Sequence, residues 1–333
     1  MDRLELQPAE LREVNDLLDE FEDDFERLDR EDALHRATVL AHRLPHRIRL
    51  YLDAFRREQL SGVVCISGYQ VDQDRLGPTP AHWRDRPPHS PAHREELLLV
   101  MYGSLLGDPF SWATQQDGRL IHDVVPIKGH ENEQMGSSSE AVLTWHTEDA
   151  FHPLRGDFLV FACLRNPYGA ATTVGYGETL PLPADVRKIL FEERFVIRPD
   201  ESHLAKNNSE PALDPFDEID EMNRNPDRVA VLFGNPEKPY IRADPYFMAV
   251  ADGDHEARAA LELLDTAMYE HMFDLRLASG DFCFLDNYRA VHGRKPFKAR
   301  HDGTDRWLKR LNLTSDIRKF KAAQALGEVQ AVH

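Results

Sequence analysis

The sequence predicts one α+β domain over residues 1–333, mainly β and decorated by helices. Three observations carry that expectation. Helical periodicity is concentrated in residues 7–60 and in isolated later segments. From about residue 107, short β-branched apolar runs alternate with turns. Strands lie on both sides of single helices without a βαβ rhythm, which speaks against a doubly wound parallel sheet. No internal repeat, low-complexity tract or linker divides the chain, so the organisation reads as N-terminal helices over 1–60, a core over 61–315 and a tail over 316–333.

In chain order, Leu, Val and Phe recur at steps of three and four through LREVNDLLDEFEDDFERL, and further helices follow in DALHRATVLAHRL and PHRIRLYLDAFRRE. GVVCISGY, with glycines at its margins, predicts a buried strand. The Pro-rich GPTPAHWRDRPPHSPAHRE predicts a surface loop that leaves His82, His89 and His93 exposed, and ELLLVMYGSLLG a helix. Strands are expected in RLIHDVVPI, VLTWHTED, DFLVFACLRN and ATTVGY. The polar stretch over about 200–227 predicts a long loop acting as a lid. RVAVLFG and PYIRAD return to strands, DHEARAALELLDTAMYEHMF is a helix, and GDFCFLDNYRAVHGR and DRWLKRLNLTSD close the core.

The chain carries 58 acidic against 40 basic side chains, a net charge of −18. Such a surface repels nucleic acid and anionic membranes and tolerates cationic small molecules. No run approaches the roughly 20 apolar residues that span a bilayer, and the acidic N-terminus lacks a signal-peptide layout. Cys65, Cys163 and Cys283 stand far apart in apolar surroundings, which predicts buried thiols in a reducing cytoplasm. The expected partners are small molecules; the oligomeric state is left open.

The run LTWHTEDAFHP, residues 143–153, concentrates potential metal ligands. On an extended backbone, alternation points His146 and Glu148 to one face and sends Thr147 and Asp149 to the other. His152 shares the first face in principle, but Pro153 ends the strand there. A third ligand has to come from a separate strand, and His292 in DNYRAVHGR is the candidate, with Gly293 supplying a turn. Asp286 and Asn287, just before it, read as structural. Two imidazoles and one carboxylate leave coordination positions open, the facial arrangement of non-haem Fe(II). Zinc hydrolases use the same ligand types, although no H-E-x-x-H motif is present. Fourteen and eighteen residues after His292 come Arg306 and Arg310, which share a face of an extended strand. Two arginines beside a metal suit two carboxylate-bearing small molecules.

H-x-E, a distal His and an Arg fourteen residues later resemble the clavaminate synthase-like Fe(II)/2-oxoglutarate-dependent oxygenases. Within that family the likeness runs to the free basic amino-acid hydroxylases, especially the L-arginine 3-hydroxylase branch of the viomycin type. It is densest in SWATQQDGR, DVVPIKG, WHTEDAFHPLRGDF, FEERFVIRPDESHL, DNYRAVHGR and HDGTDRWLKR. The resemblance implies a double-stranded β-helix, or jelly-roll, core. It implies Fe(II) held by His146, Glu148 and His292 as the catalytic centre. It places the distal carboxylate of 2-oxoglutarate on Arg306 with Thr172 or Thr173, and the substrate α-carboxylate on Arg310. Gln115 and Glu148 are expected at the substrate backbone, Asp200 and Asp244 at its cationic end. His203, in the lid, is expected at the pocket.

One departure bears on the substrate. Where that branch has two aspartates separated by one residue, this chain reads Asp244, Pro245, Tyr246. Losing a carboxylate and gaining a phenol suits an ammonium better than a planar guanidinium. L-Lysine is therefore the expected substrate, hydroxylated at an aliphatic carbon such as C3 with release of succinate and CO₂. L-Arginine, hydroxylated at C3 or C4, comes next, then ornithine or citrulline. The rivals of another class are a non-catalytic metal-binding jelly-roll protein and a zinc hydrolase.

Overall fold

Alternation along the strands sorts their side chains into two interiors. Val63, Cys65, Leu159, Phe161, Cys163, Cys283 and Leu285 face one core; Val64, Ile66, Val160, Ala162, Phe282 and Phe284 face another. The computed structural model describes residues 1–21, 28, 31–87, 89–208, 213–325 and 329–331. These strands belong to an eight-stranded sheet ordered Asp2–Glu5, Val63–Ser67, Phe282–Asp286, Phe158–Arg165, Trp307–Thr314, Asp108–Trp112 and Val329–Ala331, with His122–Val124 also paired to Trp307–Thr314. A four-stranded sheet, Phe273–Leu275, Thr172–Tyr176, Ala290–Arg294 and Leu143–His146, contributes Val174, Leu275 and Ala290 to the first core. Two sheets sharing an apolar interior give the jelly-roll core that the sequence resemblance implies.

The second core lies behind the large sheet. Helices Pro8–Phe21, Glu31–Ala41, His46–Arg56 and His93–Ser104 pack there, burying Leu18, Leu52, Phe55, Leu98 and Tyr102 against Phe158, Val160 and Phe284. A third core lies outside the small sheet, where Trp145 and Val291 meet Leu190 and the helix His255–His271. Cys65, Cys163 and Cys283 are buried free thiols, as expected.

Three expectations are corrected. The 200–227 stretch is not one long loop: after short turns at Glu201–His203 and Ala205–Asn207 it forms a helix, Leu213–Arg224. Phe216, Ile219 and Met222 recur every third residue, and Phe216 and Ile219 are buried, so packing overrides the polar composition. Residues 209–212 of that stretch lie outside the described residues. The tail adds a strand, Val329–Ala331, to the large sheet; 326–328 and 332–333 are outside the description. The first helix is described to Phe21, and the expected continuation over 22–27 is likewise outside it. Gly293 lies within the strand Ala290–Arg294 and makes no turn: a Cβ there would stand 2.6 Å from the Leu143 carbonyl oxygen.

Candidate active site

His146 and His292 sit directly opposite one another on paired antiparallel strands, their ring centroids 4.5 Å apart. The strand that carries His146 ends at that residue, so Glu148 stands just past it in a turn. The alternation nevertheless holds for three residues. Thr147 turns away and is tied to Ala243, its N–H donating to the Ala243 carbonyl at 2.8 Å. Glu148 returns to the cavity, its Oε2 lying 3.3 Å from His292 Nε2 and 3.7 Å from His146 Nε2. One ligating atom from each of the three residues falls within 4.8 Å of the others. His146 Nδ1 meets the Thr144 carbonyl at 2.8 Å, which fixes the ring and leaves Nε2 for a metal. Burial, and then the neighbouring His146, push His292 down to about 4, so its imidazole is neutral and able to ligate.

The triad opens onto a cavity whose walls include Arg306, Arg310, Thr172, Asp200 and Asp244. Trp307–Thr314 delivers both arginines. Arg306, immediately before that strand, is buried and donates from Nη2 to Thr172 Oγ1 at 3.3 Å. Its Nε is buried without a partner, and no carboxylate pairs with it among the described residues. Burial lowers it to about 10, so it stays charged. Thr173, next along its strand, does not line the cavity. Arg310 pairs with Glu148 Oε1, donates to Gln115 Oε1 at 3.1 Å and meets Nδ1 of His122, its cross-strand neighbour, at 2.7 Å. Burial and Arg310 hold His122 well below the usual histidine range, so it is a neutral acceptor. Although burial alone would raise it, Arg310 and the two histidines keep the Glu148 carboxylate well below the usual range.

At the acidic wall, Asp244 is buried, has no lysine or arginine partner among the described residues, and is pushed up to about 7 by burial. Asp200 faces the same space and caps the following turn through Ser202 N–H at 2.8 Å. Asp149 was expected on the far face of its strand, but a φ of 50° turns it back to the cavity wall. There it accepts from Trp112 Nε1 at 2.5 Å and Gln115 Nε2 at 3.3 Å, and meets His203 Nε2 at 3.1 Å. His203 is fully buried behind Asp149, with Nδ1 at 2.7 Å from Thr114 Oγ1, and does not line the pocket. Tyr246 is 59% exposed and also lies off the cavity wall. Sequence reasoning missed His122, a lone histidine in an apolar run, and Asp149, whose positive φ breaks the alternation.

These residues fit Fe(II) and an oxoacid. Two imidazoles and a carboxylate converge, the cavity leaves the remaining positions open, and a buried arginine without an acid partner waits beside them. No helix among the described residues is long and apolar enough to cross a membrane.

Comparisons with known proteins agree. The profile of the family "Taurine catabolism dioxygenase TauD, TfdA" matches residues 84–312. The chain is 46% identical to the L-ornithine/L-arginine 3-hydroxylase of Catenulispora acidiphila over 87% of this chain and 88% of that one. It is 40% identical to the enduracididine beta-hydroxylase of Streptomyces hygroscopicus over 99% of each. The crystal structure of the non-heme iron oxygenase OrfP in complex with Fe, succinate and (3S)-hydroxy-L-Arg superposes with a TM-score of 0.93 at 45% identity, covering 97% of both chains.

Proposed function

The chain belongs to the TauD, TfdA dioxygenase family, and from that premise we propose that it hydroxylates free L-arginine at C3, using Fe(II) and 2-oxoglutarate. The observation that carries this reading is the charge pattern of one cavity. A buried cation without an acid partner, Arg306, and a buried acid without a basic partner, Asp244, flank the same His-Glu-His cluster. An anionic oxoacid and a cationic amino acid complete that pattern.

When bound, iron and 2-oxoglutarate supply oxygen activation and the oxidation of an unactivated C–H bond. The chain's own residues do the positioning. Arg306 and Thr172 take the distal carboxylate of the oxoacid. Arg310, steadied by His122 and Gln115, takes the amino-acid carboxylate while still reaching Glu148. Asp200 and Asp244 receive the cationic end. Anchoring both ends of the substrate selects the carbon presented to the metal. Phe161 and Phe247 give the cavity apolar wall.

The expectation of lysine is not supported. It rested on Tyr246 meeting the ammonium, and that phenol lies off the cavity wall. Two carboxylates, Asp200 and Asp244, still face the far end, a pair that matches the fork of a guanidinium. Two relatives at 40% identity or above are named as an L-ornithine/L-arginine 3-hydroxylase and an enduracididine beta-hydroxylase. The test is an anaerobic reconstitution with Fe(II), then oxygen, 2-oxoglutarate and arginine, lysine, ornithine or citrulline in parallel. Arginine should give a product heavier by one oxygen together with succinate, C3 being assigned by NMR. Faster turnover of lysine, or succinate release indifferent to the amino acid, overturns the reading.

A further inference from the structure

Glu148 lies beyond the end of its strand, so the ladder supplies no partner for its backbone N–H and C=O. Both groups are nevertheless bonded, and by one side chain. Asn287 Oδ1 accepts from Glu148 N–H at 2.9 Å, and its Nδ2 donates to the Glu148 carbonyl at 3.0 Å and to the Gly156 carbonyl at 2.9 Å. The amide thus presents an acceptor and a donor to one residue, as a neighbouring strand would. Asn287 is 3% exposed, and its own N–H donates to the Asp157 carbonyl at 2.9 Å, so the amide cannot drift from the site. It also stands in the turn that leads into Ala290–Arg294, the strand carrying His292.

We propose that Asn287 is the positioning residue for the metal centre: its side-chain amide takes the place of the missing strand neighbour and fixes Glu148 at a set distance from His292. The two ligands come from segments 144 positions apart in the chain (292 − 148), and past the end of the paired strands this amide ties the Glu148 backbone to the turn that precedes His292. Supporting groups of this kind change metal affinity by about 10- to 100-fold when removed. The inference rests on the iron-ligand reading above, and the experiment separates the two.

The experiment measures Co(II) binding by absorbance titration of metal-free protein, alongside thermal unfolding without metal. Asn287→Ala removes all three side-chain bonds. Asn287→Asp keeps the acceptor for Glu148 N–H and loses both donors. Asn166→Ala is the matched control, because Asn166 also makes three bonds, to Ala170 N–H and to the Ala170 and Leu277 carbonyls, away from the triad. Asn287→Ala should weaken Co(II) binding by about 10- to 100-fold, Asn287→Asp by at least as much, because its second oxygen faces the Glu148 and Gly156 carbonyls, and Asn166→Ala by under about twofold. Should Asn287→Ala not fold, the near-isosteric Asn287→Asp reads the same quantity. Wild-type affinity in the Asn287 variants, or an equal loss in Asn166→Ala, overturns the proposal. Failure of the wild-type chain to bind Co(II) would instead overturn the ligand assignment.

Discussion

Arg306 is the residue whose surroundings are most one-sided: charged, buried and facing a cavity with a single hydroxyl for company. A hydrogen bond to a charged group is worth about 1.5–3 kcal/mol. Arg306→Gln should therefore raise the KM for 2-oxoglutarate by about 10- to 100-fold, read from succinate release at saturating amino acid. Asp244 carries the pH dependence. Its carboxyl sits near 7 in the metal-free protein, so it is largely protonated below that pH and charged above it. A cationic substrate binds the charged form. Calorimetry on metal-free protein should thus show arginine affinity rising with pH through about 7, and Asp244→Asn should flatten that rise. A bound metal cation moves the transition to lower pH, because it favours the carboxylate. Tyr246 supplies the contrast. At 59% exposure and off the cavity wall, Tyr246→Asp should leave the ratio of arginine to lysine turnover within about twofold, whichever residue the sequence pattern favours there.

Among the elements, the strands that build the centre were largely legible and the turns between them were not. Trp307–Thr314, Phe158–Arg165 and Thr172–Tyr176 are long enough for apolar alternation to appear, and they deliver Arg310 and Thr172 to the cavity. Phe195–Ile197, Met248–Val250 and Phe273–Leu275 have three residues each, too few to show a period. The helix Leu213–Arg224 is hidden by its acidic surface, since its apolar residues become meaningful only against the third core. Asp149 needed a backbone torsion that sequence does not display, and Asn287 needed to be brought beside Glu148 by the fold. Gly293 shows how closely two elements approach. A Cβ there would meet Leu143 O at 2.6 Å and Trp145 N at 3.1 Å. Gly293→Ala should force the His146 strand outward, lowering stability by about 1–3 kcal/mol in denaturant melts. Co(II) affinity should fall with it.

Across the whole molecule, the N-terminal helices and the large sheet share one interior, so the helical segment and the jelly roll are expected to unfold together. Leu52 is fully buried in that interior. Leu52→Ala should cost about 2–5 kcal/mol in a single transition that coincides when followed by far-ultraviolet circular dichroism and by tryptophan fluorescence. The register that sets His146 against His292 has a broader consequence. Among the described residues, Leu143–His146 is the outermost strand of its four-stranded sheet and pairs with a single neighbour. An ion gripped from both of those strands acts as a rivet on the free margin of the sandwich, so occupancy and seam strength rise together.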